Sequence, residues 1–289
     1  MAFLDDKALD RLREVCDTPD LAGTRYDLLE QIGRGGMGAV FRVHDRELGR
    51  DVALKVLDEL PAKMELDEAR LLARLEHPGI VPVHDAGILA DGRSYFVMKH
   101  VRGARFDTWA KTASLAELLR AFQKICEAVA FAHNQGIIHR DLKPSNVMIG
   151  EFGEVMTLDW GVAQTAPTVA DVAGTPRYMA PEQARGDASI LSDVFSLGAM
   201  LLDILPENAP APLRSICTKA MSVEPGERYT NAIDLRADLT RFLDRERVNA
   251  HPESLYEKTA RLVSNHRVLV GMVLAYLVMR AVLIIWRIN

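Results

Sequence analysis

HRDLKPSN, His139 to Asn146, is the stretch on which the fold turns. Asp159-Trp160-Gly161 lies thirteen residues beyond Asn146, inside TLDWGVAQ, and Ala180-Pro181-Glu182 follows later. On the N-terminal side, Ile137 and Ile138 separate the octapeptide from Leu115–Asn134. That run puts Leu118, Leu119, Phe122, Ile125, Val129 and Phe131 on one face and reads as a long helix.

Further upstream, Gly33-Arg34-Gly35-Gly36-Met37-Gly38-Ala39-Val40 satisfies GxGxxGxV. In a dinucleotide fold such glycines follow a strand and open a helix. Here AVFRVHD, a turn at ELGR and DVALKVL follow, so the loop is expected between two antiparallel strands. Its backbone N–H groups are then free to close over phosphates. Lys55, flanked by Ala53, Leu54 and Val56, is poorly placed for solvent and invites a buried anionic partner. Residues 80–84 and 94–98 read as strands, and Leu66–Leu75, after Pro61, as a helix. Leu4, Ala8, Leu12 and Val15 give residues 3–16 an amphipathic helical face, and everything after about residue 190 is helical by pattern. A β-rich part followed by an α-rich part predicts an α+β chain with a cleft between two lobes.

At 289 residues, 48% hydrophobic and 26% charged, the chain is globular rather than disordered. A net charge of −5 argues against nucleic acid as a partner. Cys16, Cys126 and Cys217 are far apart without CxxC spacing, which fits reduced buried thiols. The N-terminus is charged from its fifth residue and is no signal peptide.

Val268–Trp286 is a different matter: 19 residues with Arg280 as the single charge, long enough to cross a bilayer. Arg280 at the centre costs roughly 2.5–3.5 kcal/mol, which eleven Leu, Val or Ile residues outweigh. Arg261 and Arg267 precede the span and only Arg287 follows it, an asymmetry that keeps the N-terminal part cytoplasmic. Gly271 and Ala275 form a small-xxx-small pair of the kind that supports a homodimer. The expected location is a cytoplasmic (inner) membrane, crossed once, with lipid as a partner. The other reading of this apolar helix is docking on a soluble partner or on the main domain.

In this order, the glycine-rich loop, Lys55, His139–Asn146, Asp159–Gly161 and Ala180–Glu182 resemble the eukaryotic-like Ser/Thr protein kinases of bacteria, over roughly Tyr26 to Leu243. The resemblance implies a bilobal kinase fold with N-lobe 25–100 and C-lobe 101–244. A helical extension at 1–24, a juxtamembrane linker at 245–266 and a transmembrane helix at 267–287 complete the expected organisation. It also implies transfer of the ATP γ-phosphate to Ser/Thr hydroxyls of proteins, with autophosphorylation, in membrane-anchored signalling. The required cofactor is Mg²⁺, for which Mn²⁺ can substitute.

By the same resemblance, Asp141 accepts or orients the substrate hydroxyl's proton. Asn146 and Asp159 are the metal ligands, a donor set that suits Mg²⁺. Lys55 holds the α- and β-phosphates, and Lys143 neutralises the phosphoryl group in transit. Glu68 rather than Glu65 is the expected helix partner of Lys55, being nine residues before His77 with Leu72 one turn on. The separation of 13 residues from Lys55 is shorter than usual in the family. Ile32, Gly33–Val40, Ala53, Met98, Lys99, Val101 and Met148 frame ATP, with Met98 as gatekeeper. His139, Arg140, Trp160, Glu182, Asp193 and Arg228 take structural roles, Glu182 with Arg228 as a buried ion pair and Asp193 behind the catalytic loop. Thr175, in GTPRYMAPE, and Lys143 point to Ser/Thr acceptors.

Thr165 and Thr168 are candidate phosphorylation sites that Arg140 would bind. Only LPENAPAPL, Leu205–Leu213, separates SDVFSLG's helix from the next, so a C-lobe segment usual in the family is missing. Trp160, where Asp-Phe-Gly is commoner, is expected to repack against Leu72, Val83 and His139 and to need an acceptor for its indole N–H. A nucleotide-binding pseudokinase scaffold is the alternative, although Lys55, Asp141, Asn146 and Asp159 are all present. A small-molecule phosphotransferase shares the lobes but not the threonine-bearing segment before Glu182.

Overall fold

The computed structural model describes residues 18–35, 38–57, 74–160, 174–254, 257–259 and 267–288, without the side chains at 267–269, 281, 282, 284, 285, 287 and 288. Phe41 and Val43 alternate with Arg42 and His44 along β2 (Gly38–Asp45), burying one face in the pattern of a half-covered strand. It pairs antiparallel with β1 (Tyr26–Gly35) on one side and, without a break from Gly38↔Leu57 to Asp45↔Arg50, with β3 (Arg50–Leu57) on the other. β4 (Val83–Ile88) and β5 (Ser94–Lys99) complete a sheet of order β1-β2-β3-β5-β4. Tyr26, Phe41, Val43, Val52, Leu54, Val56 and Val97 form the core on one face.

Pairing register defines the other face. Val40 lies opposite Lys55, Ala53 opposite Met98, and Lys55 opposite Phe96. Directly paired residues share a face, so Val40, Ala53, Lys55, Phe96 and Met98 look together toward the second lobe. The glycine-rich loop is a hairpin, with Gly35 paired to Gly38. That geometry excludes the strand-to-helix turn of a dinucleotide fold.

The second lobe begins with β6 (Gly103–Arg105), which joins β7 (Val147–Gly150) and β8 (Val155–Thr157) in a small antiparallel sheet. A single turn, α1 (Phe106–Trp109), leads to α2 (Leu115–Asn134), whose bounds are those its periodicity predicts. Ser114 and Glu117 form a reciprocal capping box that starts it. α3 (Ile190–Ile204), α4 (Ala211–Ala220) and α5 (Ala232–Leu243) pack with α2 around Phe106, Phe122, Ile125, Leu197, Met200 and Ile216. Only Leu205–Pro210 joins α3 to α4.

Several expectations need correction. The strand placed at 80–84 starts instead at Val83, because Pro82 has no N–H and Ile80 makes an isolated parallel bridge to Thr157. Residues 18–24 are turns rather than helix, held by bonds such as Thr24 N to Leu21 O at 3.0 Å. The C-lobe does not end at Asp244. Val248 is buried in its core, and the buried carboxylate of Asp238 accepts the amides of Asn249 at 2.9 Å and Ala250 at 3.0 Å. The expected helix at 3–16 and most of Leu66–Leu75 lie outside the described residues.

No helix among the described residues is long and apolar enough to cross a membrane. The backbone of α6 (Arg267–Ile288) is one 22-residue helix.

Candidate active site

Asp193, in the first turn of α3, is fully buried and accepts the backbone N–H groups of His139 at 2.8 Å and Arg140 at 2.9 Å. His133 Nε2 adds a third bond at 2.8 Å. Burial raises the Asp193 carboxyl, but the bond and charge of His133 overcome it and leave the group below the usual carboxylate range. Arg140 has a φ of 68°, sparsely populated for a side chain, and the Asp193 bond pins it there. The His139 ring lies 3.0 Å from the Leu158 carbonyl through Nε2, while its Nδ1 accepts the Asp141 N–H at 3.3 Å. These bonds define a neutral Nε2–H tautomer, and burial pushes the imidazole's pKa down in the same sense.

This scaffold presents Asp141. Its Oδ1 accepts both the amide and the hydroxyl of Thr175 at 2.8 Å, and its Oδ2 accepts Lys143 Nζ at 2.7 Å. Lys143 Nζ also donates to Thr175 Oγ1 at 2.9 Å. Asn146, in the Pro144–Asn146 turn, donates its amide to the Asp141 carbonyl at 2.9 Å and to Oδ2 at 3.2 Å. Asp141, Lys143, Asn146 and Thr175 therefore form one cluster.

Lys55 reaches Asp159 from the other lobe. The residue is only 7% exposed, and its ammonium sits 2.9 Å from Asp159 Oδ1. Burial raises the Asp159 carboxyl, but the charge and hydrogen bond of Lys55 hold it below the usual range. Asp159 has a φ of 54°, and its side chain remains 43% exposed, open toward the cleft. The residues present fit a hard divalent cation. Asn146 commits its nitrogen to Asp141, which leaves its amide oxygen to ligate, and Asp159 commits only Oδ1 to Lys55. Two such donors, completed by phosphate oxygens and water, are what Mg²⁺ accepts.

Two glycines of the loop, Gly35 and Gly38, differ. A Cβ on Gly38, whose φ is 139°, would stand 1.9 Å from the Val56 carbonyl oxygen, whereas one on Gly35 meets nothing within 4 Å. Gly38 is thus required by the backbone, and Gly35 leaves space over the cleft. Ile32 is 40% exposed on β1. Gly33 pairs with Val40 and Arg34 with Ala39. Val101, Val81 and Met156 pack with Met98, Met148 and Leu158 at the base of the cleft, beside Lys99, whose N–H bonds Pro82 O at 3.2 Å.

Trp160 is 2% exposed and packs with Leu75, Ile80, Ala128, Ala132 and Ile137. Its ring lies 4.5 Å from that of His139, and its N–H reaches the Thr157 carbonyl at 3.3 Å. Val83, expected in this stack, packs on Leu57 and Phe96 instead, since β4 starts late and carries it onto β5. Arg228 clasps Glu182 through two bonds of 2.6 and 2.8 Å, and Ser192 donates to the same carboxylate at 2.8 Å. Gly36, Met37, Glu68, Leu72, Thr165 and Thr168 lie outside the described residues.

Sequence reasoning missed His133, whose signal was a polar ring near the end of an otherwise apolar helix face. It also missed Gln183, which donates to the Arg140 carbonyl at 2.5 Å, and Ser196 with Asp203 on α3.

The protein kinase domain family matches residues 26–258. Serine/threonine-protein kinase PknD of Chlamydia caviae is 33% identical over 291 residues, covering 76% of this chain and 31% of that protein. The PknD kinase of Chlamydia muridarum is 34% identical over 301 residues, covering 77% of this chain and 32% of the relative. The chain spans about a third of the length of the curated relatives it matches. A lysine–aspartate contact across the cleft, an aspartate–lysine–asparagine–threonine cluster below it and the family match agree: the chain belongs to the protein kinase domain family.

Proposed function

We propose that the chain is an ATP-dependent protein kinase acting on serine and threonine hydroxyls. The observation that carries this reading is the placement of Thr175 Oγ1 on both Asp141 Oδ1 and Lys143 Nζ, where an acceptor hydroxyl would meet base and cation. In the reaction the acceptor oxygen forms a bond to the γ-phosphorus, the bond to the ADP oxygen breaks, and the hydroxyl proton passes to Asp141. Lys143 offsets the charge on the moving phosphoryl group, and Lys55 holds the α- and β-phosphates. Asn146 and Asp159 would hold Mg²⁺, which would neutralise the phosphate oxygens. Val40, Ala53, Met98 and Met148 take the adenine, Lys99 and Val101 offer backbone groups to its edge, and Glu68 pairs with Lys55. Thr165 and Thr168 are the autophosphorylation sites that this reading assigns.

The helix α6 is the membrane anchor in this reading, with the kinase lobes cytoplasmic. Its 22 residues span about 33 Å, against about 30 Å of hydrocarbon. Met272, Leu274, Leu277, Val278 and Leu283 are each more than half exposed, an apolar surface that water does not tolerate. Arg280 donates to the Tyr276 hydroxyl at 3.1 Å, which satisfies part of its guanidinium within the helix. A Cβ on Gly271 meets nothing within 4 Å, which leaves the Gly271/Ala275 surface open to a second copy.

The test incubates the full chain in detergent with labelled ATP, Mg²⁺ and a basic protein. Label in protein with the native chain and none with Asp141→Asn supports the reading. Tight nucleotide binding without transfer by either would favour a scaffold.

A further inference from the structure

The peptide that joins Arg140 to Asp141 is held at both of its polar groups. Its N–H, on Asp141, donates to His139 Nδ1 at 3.3 Å. Its carbonyl, on Arg140, accepts Gln183 Nε2 at 2.5 Å. A peptide unit is a rigid plane, so holding both groups fixes the direction in which the chain delivers the Asp141 side chain. The residue before that plane is under strain. Arg140 has a φ of 68°, sparsely populated for any residue but glycine, and its own N–H is taken by Asp193 Oδ1 at 2.9 Å. With φ pinned in this way, rotation about ψ is the motion left to Arg140, and the bond from Gln183 opposes it.

Gln183 is placed firmly enough to do so. The residue is buried, and opposite a carbonyl only the nitrogen end of its amide can bond. Its backbone opens the short turn Gln183–Arg185, closed by Gly186 N on Gln183 O at 3.0 Å. That turn directly follows Glu182, which Arg228 and Ser192 hold. Gly174 lies over the contact. A Cβ there, at a φ of 130°, would stand 2.7 Å from the Arg140 carbonyl oxygen and 2.9 Å from Gln183 Nε2. Thr175, the next residue, bonds Asp141 through its amide and its hydroxyl. Gly174 and Gln183 thus bring both ends of this segment to the carbonyl that precedes Asp141.

We propose that Gln183 is a positioning residue for phosphoryl transfer: its amide, on the Arg140 carbonyl, sets the peptide plane that aims Asp141 at the acceptor hydroxyl. The proposal rests on the kinase reading above. Its test compares native chain, Gln183→Met and Gln183→Leu, all full length in detergent, by peptide phosphorylation and by amide hydrogen exchange. Methionine and leucine fill much of the same space in two shapes, and neither can donate. Both variants should lower turnover at saturating peptide about tenfold, with the nucleotide KM within about twofold of native. Both should also speed exchange across 139–142. The proposal is overturned if either variant keeps native turnover, or if the loss lies in the nucleotide KM. It is equally overturned if exchange rises throughout the second lobe, since Gln183 would then be a general stabiliser. Should the native chain transfer no phosphate, the kinase reading fails, and exchange at 139–142 alone decides whether Gln183 holds the loop.

Discussion

Gly35 and Gly38 belong to one motif but answer to different constraints. A methyl group on Gly38 collides with the Val56 carbonyl at a φ of 139°, so Gly38→Ala should destabilise the fold by at least about 2 kcal/mol in denaturant unfolding. Gly35→Ala should leave the unfolding midpoint unchanged and raise the nucleotide KM several-fold, because its Cβ meets only open space over the cleft. Trp160 is the other residue whose meaning the structure sharpens. Beside it Asp159 keeps its contact with Lys55, and the indole N–H has found Thr157 O. Trp160→Phe should keep kcat/KM within several-fold and lower stability by roughly 1–2 kcal/mol, from the lost volume and hydrogen bond. The tryptophan's need for an acceptor was legible from its chemistry. Its neighbour His139 was legible too, but Val83 was not, because β4 begins at Val83 rather than at residue 80 and packs it on Leu57 and Phe96.

At the scale of elements, α3 is the organiser. Its buried Asp193 ties down the loop carrying His139 and Arg140, and its Ser192 meets Glu182, which Arg228 completes. These links carry a pH signature. His139 is held neutral by burial, so the unfolded chain binds more protons below its ordinary pKa of about 6.5, and stability falls as pH drops through that value. The depressed carboxyl of Asp193 contributes stability that is present above about pH 4 and lost as pH falls further. Thermal midpoints should therefore decline in two stages, below about pH 6.5 and again below about pH 4. Asp193→Asn should flatten the second stage. Periodicity predicted α2 to the residue because one continuous apolar face marks it, and the Ser114–Glu117 capping box holds its start there. The tail at 245–251 escaped because its anchor, two backbone amides on Asp238, leaves no periodic trace in sequence.

For the whole molecule, the bilobal arrangement followed from motif order, since each motif sits where a strand, turn or helix end must face the cleft. What motif order did not contain is contact between elements distant in sequence, such as Arg177 with Asp203. Attachment to a membrane belongs to this scale too. The full chain should stay with vesicles through high salt and alkaline carbonate, and a chain ending at Thr259 should be released. Release of the full chain by carbonate would instead mean that α6 docks on protein. The central claim is phosphoryl transfer to an aliphatic hydroxyl under Asp141. Phosphoamino-acid analysis of a labelled protein substrate tests it most directly. The account predicts phosphoserine or phosphothreonine with the native chain and neither with Asp141→Asn. Equal label from both proteins, or label confined to tyrosine, would contradict it.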